Sequence, residues 1–233
     1  MTSEIAGNLR EVGQRLKAAC LRVNRNPADV GLIAVSKTFP ADAVREAAAA
    51  GQQVFGESRL QEAEPKIALL PGSLHWHFIG RIQRNKVRRI LPLFGVIHAV
   101  DSFALASYMN GIAAESGLFP KIFLQVNIAG EASKGGFDPE TLRTELGYLL
   151  GLERLEIMGL MCIPPEGPDA ESARPWFVAL RELRDALSCE SGVPLPCLSM
   201  GMSADFELAV QLGATHVRVG SAIFGKRPPL VSE

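Results

Sequence analysis

The sequence repeats one unit eight times: a short apolar run, a polar or glycine-bearing turn, and then a helical pattern. In chain order the runs are LIAVS (32–36), QVFGE (53–57), HWHFIG (75–80), VIHAVD (96–101), IFLQVNI (122–128), EIMGLMCIP (156–164), CLSMG (197–201) and HVRVG (216–220). Short apolar runs bounded by turn residues are typical of buried strands. Strands that alternate with helices pair in parallel through helical crossovers. Eight such units in 233 residues predict an α/β fold, a closed (β/α)8 TIM barrel, with an open doubly wound sheet as the alternative.

One further helix is expected before the first strand, over residues 5–23. Its apolar positions alternate in steps of three and four, at Ile5, Leu9, Val12, Leu16, Cys20 and Val23. This spacing is that of one face of an amphipathic helix, which we expect to pack across one end of the barrel. Because no linker rich in proline, glycine or serine divides the chain, we interpret residues 1–233 as a single domain.

Composition excludes several classes of protein. Hydrophobic residues make up 47% of the chain and charged residues 21%, as in globular proteins with a large core. The net charge of -1 gives no general reason to expect nucleic acid or an acidic membrane as a partner. No apolar run approaches the roughly eighteen residues that span a bilayer, and the charged start lacks the apolar core of a signal peptide. We therefore expect a cytoplasmic protein without a membrane partner.

Two further features have ordinary explanations that we favour. The four cysteines show neither CxxC spacing nor a nearby histidine pair, so they predict reduced thiols and no metal site. Residues 81–89 carry five basic side chains and no acid. This segment is a candidate electropositive patch for nucleic acid, but no aromatic residue interleaves with the charges, and a solvated helix face is the simpler interpretation.

Lys37 follows the first apolar run directly, at the end of a barrel strand where such folds place their chemistry. Lysine is rarely buried unless it is paired or functional. Its amine either reaches water or is held at the mouth of a pocket. In a pocket, desolvation lowers the pKa of the amine and makes it a Schiff-base nucleophile.

A phosphate site is predicted after the last two strands. Ser203 begins a predicted helix that ends near Leu212, and Gly220 and Ser221 begin a short helical turn. Helix N-termini offer unpaired amides and a positive dipole end to a phosphate dianion. Barrels frequently bind phosphate in the loops after strands seven and eight.

A reactive amine, a phosphate cradle and a nearby arginine together suggest pyridoxal phosphate. Its aldehyde would form an imine with Lys37, and Arg218 would face the ring nitrogen. A permanent cation there keeps the ring nitrogen unprotonated. His77 is either a residue that lines this pocket or a packed strand histidine.

The chain also resembles a known family in seven motifs that occur in order from about residue 30. They are AVSKT (34–38), FGES (55–58), WHFIGRIQRNKV (76–87), QVNIAGEASKGGF (125–137), GLMCIPP (159–165), LSMGMSADFELA (198–209) and VRVGSAIFG (217–225). These motifs are similar to those of the pyridoxal phosphate homeostasis proteins. The resemblance implies a fold-type III barrel similar to the N-terminal domain of alanine racemase, with the cofactor on Lys37.

The resemblance also implies a role and a set of binding residues. The family holds and regulates pyridoxal phosphate without an established catalytic turnover, so no catalytic residue is assigned. We expect a monomer that delivers the cofactor to apoenzymes. By motif position, the cofactor-binding residues besides Lys37 and Arg218 are Ser199, Met202, Ser203, Gly220 and Ser221, with His77 added as a pocket residue. The sequence departs from the family at Ser58, where asparagine is common, and at Cys162, where threonine is common.

Two enzymatic alternatives remain open. An amino-acid racemase needs a base on each face of its substrate, and the two tyrosines, Tyr108 and Tyr148, lie in helical patterns away from the strand ends. A Schiff-base aldolase would need an acid or base near Lys37, for which Asp101 or Glu57 could be proposed.

Overall fold

The computed structural model describes residues 4–131 and 134–226, in which eight parallel strands close in chain order into a barrel. The strands are β1 (Gly31–Val35), β2 (Val54–Glu57), β3 (His75–Phe78), β4 (Val96–Val100), β5 (Lys121–Gln125), β6 (Glu156–Met161), β7 (Cys197–Ser199) and β8 (His216–Val219). The helices are α1 (Glu4–Leu21), α2 (Ala41–Ala49), α3 (Leu60–Ala68), α4 (Val87–Ile90), α5 (Phe103–Ser116), α6 (Pro139–Leu150), α7 (Arg174–Ser191), α8 (Phe206–Gln211) and α9 (Ser221–Phe224). The predicted (β/α)8 barrel is confirmed, and every strand lies within one residue of its predicted run.

The barrel has apolar packing on both sides of its wall. Alternate strand residues face opposite sides, and on β3 the side chain of Trp76 packs outward among the large core between strands and helices. A much smaller apolar cluster, formed by Ala99, Phe123 and Met161, is separate from that core. The interior of the barrel therefore leaves room for polar side chains at both of its ends.

Helix α1 does not lie across one end of the barrel, which corrects the expectation from sequence. It packs against α2, α8 and α9 in the outer layer. Helices α8 and α9 are short, with six and four residues, so the apolar face of α1 covers what they leave open. Arg15 Nε donates to Glu207 Oε1 at 2.7 Å, and Asn8 Nδ2 donates to the Ile223 carbonyl at 3.0 Å. Among the described residues, no helix has the length and apolar character needed to cross a bilayer.

Gly80, just after β3, brings two loops of the carboxyl end into close backbone contact. A Cβ atom at this position would lie 2.1 Å from the Ser58 carbonyl oxygen. Because the obstacle is backbone rather than a flexible side chain, a larger residue forces the two loops apart.

We expect Gly80→Ala to lower the free energy of unfolding by about 1–3 kcal/mol, as overpacking commonly does. Gly95→Ala is the matched control, because a Cβ there meets nothing within 4 Å, and its effect should stay within about 0.5 kcal/mol. Urea unfolding of the three proteins measures both. Equal stability of the two variants would contradict the expectation.

Candidate functional site

A cavity of about 300 Å³ opens at the carboxyl ends of the strands. Its lining is Val35, Lys37, Phe39, Ile79, Ile163, Met202, Ser203, Ala204, Arg218, Gly220, Ser221 and Gly225. We call it the carboxyl-end cavity. It brings together Lys37, Met202, Ser203, Arg218, Gly220 and Ser221, which sequence motifs had placed in one site. Phe39, Ile79 and Ile163 are apolar lining residues that the sequence did not single out.

Lys37 lies in the turn after β1, two residues beyond the strand end at Val35. The next residue, Thr38, has φ of 70°, in the left-handed region that a β-branched residue seldom adopts. Within the described ranges its buried Oγ1 has no hydrogen-bond partner. Strained backbone and orphaned polar atoms concentrate at functional sites, and here both occur beside the half-buried lysine.

A buried ion pair supports this turn from behind. Lys66 Nζ lies 2.6 Å from Glu57 Oε1 and donates to the Ser36 carbonyl at 2.9 Å. The Ser36 hydroxyl donates to the same carboxylate oxygen at 2.7 Å. Burial raises the pKa of Glu57, and the charge of Lys66 opposes that rise.

Sequence reasoning missed Lys66, although a signal for it was present. Lys66 follows Leu60 and Ala63 at three-residue spacing, and all three are buried on one face of α3. A lysine on the apolar face of a helix needs a buried partner, and Glu57 at the end of β2 is that partner.

The loop after β7, where the sequence predicted part of a phosphate site, does not begin a helix at the expected residue. Helix α8 begins at Phe206, not at Ser203, and Asp205 occupies the N-cap position. The Asp205 carboxylate accepts a hydrogen bond from the Met202 amide at 2.6 Å.

The Ser203 hydroxyl therefore serves the neighbouring helix instead of its own. Its oxygen accepts hydrogen bonds from the amides of Gly220, at 3.1 Å, and Ala222, at 3.3 Å. This contact joins the two loops after β7 and β8. Ser203 and Ser221 both line the cavity, and the Ser203 hydroxyl hydrogen remains available as a donor.

Arg218 supplies a buried positive charge to the cavity. Its side chain is 4% exposed, and burial lowers its pKa. One terminal nitrogen, Nη1, donates to Ser199 Oγ at 2.7 Å, and Nη2 donates to the Cys162 carbonyl at 3.0 Å. In the part of the chain that the structure describes, no carboxylate lies within 4 Å of this guanidinium.

Ser199 does not line the cavity, so the structure does not bring it together with the other predicted phosphate ligands. It is fully buried, and its hydroxyl contacts Arg218 Nη1 and His98 Nδ1, the latter at 2.8 Å. The last residue of β7 faces the barrel interior, so its side chain orients Arg218 from behind.

His77 likewise does not line the carboxyl-end cavity. It lines a different cavity, at the amino ends of the strands. His77 Nδ1 lies 2.9 Å from His98 Nε2. Burial lowers the pKa of His77 to about 3 and that of His216 to about 4, and it lowers the pKa of His98 strongly. All three rings are therefore neutral at pH 7.

The basic segment at residues 81–89 is partly neutralised by neighbouring helices. Arg88 forms an ion pair with Glu115, and Arg89 forms one with Glu64. These contacts give part of the segment a structural role on the outer surface.

Comparison with known proteins identifies a family model and relatives that match most of the chain. Residues 6–228 match the family model described as alanine racemase, N-terminal domain. The pyridoxal phosphate homeostasis protein of Aquifex aeolicus is 43% identical over 220 residues, which cover 94% of this chain and 96% of the relative. The one from Pseudomonas aeruginosa is 45% identical over 229 residues, covering 97% and 96%.

Solved structures agree with these relatives. PipY of Synechococcus elongatus, solved with PLP bound, is 44% identical with a TM-score of 0.82 and is covered over 100% of its length by 92% of this chain. Alanine racemase of Corynebacterium glutamicum is 21% identical with a TM-score of 0.71, and 98% of this chain covers 62% of it. The racemase likeness shows the barrel fold alone.

We expect Lys66→Met to lower the free energy of unfolding by about 3–5 kcal/mol, because it leaves Glu57 buried without its cation. The double variant Lys66→Met/Glu57→Gln should recover most of that loss. Lys17→Met, at an exposed position on α1, is the control and should behave like the parent protein. Urea unfolding measures all four. A single variant as stable as the parent would show that the pair contributes nothing.

The histidine pKa values predict a loss of stability in mild acid. The unfolded rings take up protons near pH 6.5, whereas the folded rings of His77 and His216 resist protonation down to about pH 3 and 4. The unfolded state then binds more protons, so the free energy of unfolding falls as pH decreases from 6.5 towards 4. The slope is about 1.4 kcal/mol per pH unit for each ring.

Urea unfolding at several pH values across this interval measures the slope. His216→Gln should reduce it by about one proton per molecule. A free energy of unfolding that stays constant from pH 6.5 to 4 would contradict this prediction.

Proposed function

This chain belongs to the family of pyridoxal phosphate homeostasis proteins, and on that premise we propose that it binds pyridoxal phosphate covalently through Lys37 and holds it for intracellular storage and delivery. The observation that carries the proposal is one cavity lined by Lys37, by two serines from the loops after β7 and β8, and by the buried Arg218. The bound PLP described for PipY, which is 44% identical, supports it.

The residues present fit such a cofactor on the evidence of this structure alone. Arg218 is a buried cation that has neutral partners, Ser199 and Cys162, for its hydrogen bonds. The Asp205 carboxylate attracts this cation from beyond ion-pair distance, and a buried charge without a directly paired partner is costly. A ligand that carries negative charge in this cavity would lower that cost.

Each lining residue then has a distinct task. When bound, pyridoxal phosphate supplies an aldehyde that condenses with a primary amine, and Lys37 provides that amine. The Ser203 and Ser221 hydroxyls and the first-turn amides of α9 are donors suited to a phosphate. Gly220 places this helix start next to the end of β1, since a Cβ there would lie 3.4 Å from the Val35 carbonyl oxygen, which is an ordinary contact distance.

Arg218 is assigned to the ring nitrogen of the cofactor. Guanidinium keeps its proton under all ordinary conditions, so it would donate to that nitrogen and disfavour protonation there. Ser199 and the Cys162 carbonyl fix the plane of the guanidinium through one hydrogen bond each. An unprotonated ring withdraws electrons weakly, and this property suits a protein that holds the cofactor.

Holding is favoured over racemisation by the position of the tyrosines. The chain has two, and neither lines the carboxyl-end cavity: Tyr108 lies on α5 under the guanidinium of Arg84, and Tyr148 is exposed on α6. A racemase needs a second base opposite its lysine.

An aldolase acid at Glu57 is disfavoured too. Its carboxylate is fully buried and engaged by Lys66 and Ser36.

We place the protein in the cytoplasm, acting as a monomer that passes the cofactor to apoenzymes. The four cysteines, Cys20, Cys162, Cys189 and Cys197, are free thiols, which is the usual state in a reducing compartment.

We expect Lys37→Ala to abolish covalent labelling while the fold is retained. The purified protein is incubated with pyridoxal phosphate, reduced with borohydride, digested and mapped by mass. The parent should carry pyridoxyl mass on the peptide that holds Lys37, and Lys17→Met should be labelled like the parent. Because Lys37 is half-buried in a turn, its loss should change the free energy of unfolding by no more than about 1 kcal/mol.

A parent protein that stays unlabelled would overturn the proposal. The labelled protein can also be incubated with L-alanine in D2O. Exchange of the α-hydrogen for deuterium would show catalysis and would overturn the proposal that the protein only holds the cofactor.

A further inference from the structure

A second and larger cavity, of about 540 Å³, opens at the amino ends of the strands. We call it the amino-end cavity. Its apolar lining includes Ile33, Val54, Leu74, Leu93, Val96 and Met158. Its polar lining side chains are His75, His77, Lys121 and His216. A mostly apolar pocket with a few polar groups is typical of a small-molecule site.

A chain of hydrogen bonds connects this cavity with Arg218 through the middle of the barrel. Arg218 Nη1 is 2.7 Å from Ser199 Oγ, which is 2.8 Å from His98 Nδ1, and His98 Nε2 is 2.9 Å from His77 Nδ1. All four side chains are at most 7% exposed. The chain therefore crosses the protein interior without a contribution from bulk water.

Arg218 fixes the direction of this chain, because a guanidinium can only donate. Ser199 Oγ accepts that hydrogen bond, and its own hydrogen then needs an acceptor. Within the described residues the remaining group beside this hydroxyl is His98 Nδ1. If His98 Nδ1 donated instead, the buried hydroxyl hydrogen would have no acceptor, which costs about 1–3 kcal/mol.

The same direction continues to the last ring. His98 accepts at Nδ1, so as a neutral ring it carries hydrogen on Nε2 and donates to His77 Nδ1. His77 then carries its own hydrogen on Nε2. In the described ranges no protein group accepts a hydrogen bond from His77 Nε2, and the ring lines the amino-end cavity. The chain thus presents a hydrogen-bond donor to that cavity.

Lys121 adds a positive charge at the same cavity. Its Nζ lies 3.7 Å from Glu156 Oε1, and both side chains are about half exposed. Such surface pairs contribute little, so a ligand with better geometry displaces the contact. The neighbouring imidazoles of His77 and His216 are neutral at pH 7, so these two rings add no charge to that of Lys121.

We propose that the amino-end cavity is a second ligand site, for a small apolar monocarboxylate. One carboxylate oxygen accepts the hydrogen bond of His77 Nε2–H, the charge faces Lys121, and the hydrocarbon part packs against Leu93, Val96 and Met158. This site is independent of the function proposed for the carboxyl-end cavity, so either assignment can fail alone.

Methyl-resolved NMR with 4-methylpentanoate as the probe tests the location of binding. Saturable shifts are expected at the methyl groups of Leu93, Val96 and Met158, while those of Ile79 and Ile163 in the other cavity stay unchanged. No saturable shift at millimolar probe, or shifts confined to Ile79 and Ile163, would overturn the proposal.

Variants test the chemistry of recognition. His77→Phe removes the donor from a ring of similar shape, and Lys121→Met removes the charge. Each should weaken probe binding by about tenfold or more, as expected for a hydrogen bond or pairing with a charged group. Lys17→Met is the control and should bind like the parent. The alcohol 4-methylpentan-1-ol should bind at least about tenfold more weakly than the acid. Equal affinity for the acid and the alcohol, or for the parent and Lys121→Met, would refute a carboxylate site.

The unmodified protein provides a test that depends on no variant. Long-range ¹H–¹⁵N spectra report which imidazole nitrogen carries hydrogen. Hydrogen on Nε2 of both His98 and His77 is expected at pH 7. Hydrogen on Nδ1 of these rings would reverse the chain, present a lone pair to the amino-end cavity and overturn the proposal.

Discussion

Closure of eight parallel strands into one barrel places the inward side chains of all strands in a single enclosed space, where every polar group must find its partner. Arg218 enters this space from β8, Ser199 from β7, His98 from β4 and His77 from β3. In sequence they are far apart, and only closure brings them into hydrogen-bond distance. The orientation of Arg218 therefore depends on strands that contribute nothing else to the carboxyl-end cavity.

The Lys37 turn is held by a different device, a buried ion pair on its far side. Lys66 and Glu57 form an ion pair, and each also forms a hydrogen bond with Ser36. A buried pair of this kind is weak evidence for stability as such, because desolvation offsets the attraction. Its geometric consequence is clearer. The pair fixes the Ser36 carbonyl, one residue before Lys37, and Thr38, one residue after Lys37, has a left-handed conformation.

The sequence contained the fold and most of one cavity. Strand and helix periodicities predicted the barrel because apolar spacing is a local property, and Lys37, Ser203, Arg218 and Gly220 were found because strand ends converge in any such barrel. The depth of a side chain along its strand was not predictable in this way. The sequence did not predict that His77 lines the amino-end cavity, because alternation gives the face of a strand and not the level of a side chain in the barrel.

Other errors had physical causes of the same non-local kind. Serine is a common N-cap residue, which is why Ser203 was predicted to begin a helix. Its hydroxyl instead accepts a hydrogen bond at the start of α9, and Asp205 accepts the one from the Met202 amide. The position of α1 was predicted from its amphipathic face alone. The elements that pack against that face could not be predicted, because they depend on the short lengths of α8 and α9. Lys66 was not singled out, because its partner Glu57 lies on a different element and only folding brings the two together.

The charge balance of the interior links the two ends of the barrel. Burial keeps His77, His98 and His216 neutral, so Arg218 is the cation of the hydrogen-bonded chain in the described interior. Its proximity also lowers the pKa of His98 and His216, because a second charge nearby is repelled. An anion in the carboxyl-end cavity would weaken that repulsion and ease protonation of the rings. The charge of Arg218 therefore links the electrostatics of the carboxyl-end cavity with the protonation of the buried rings.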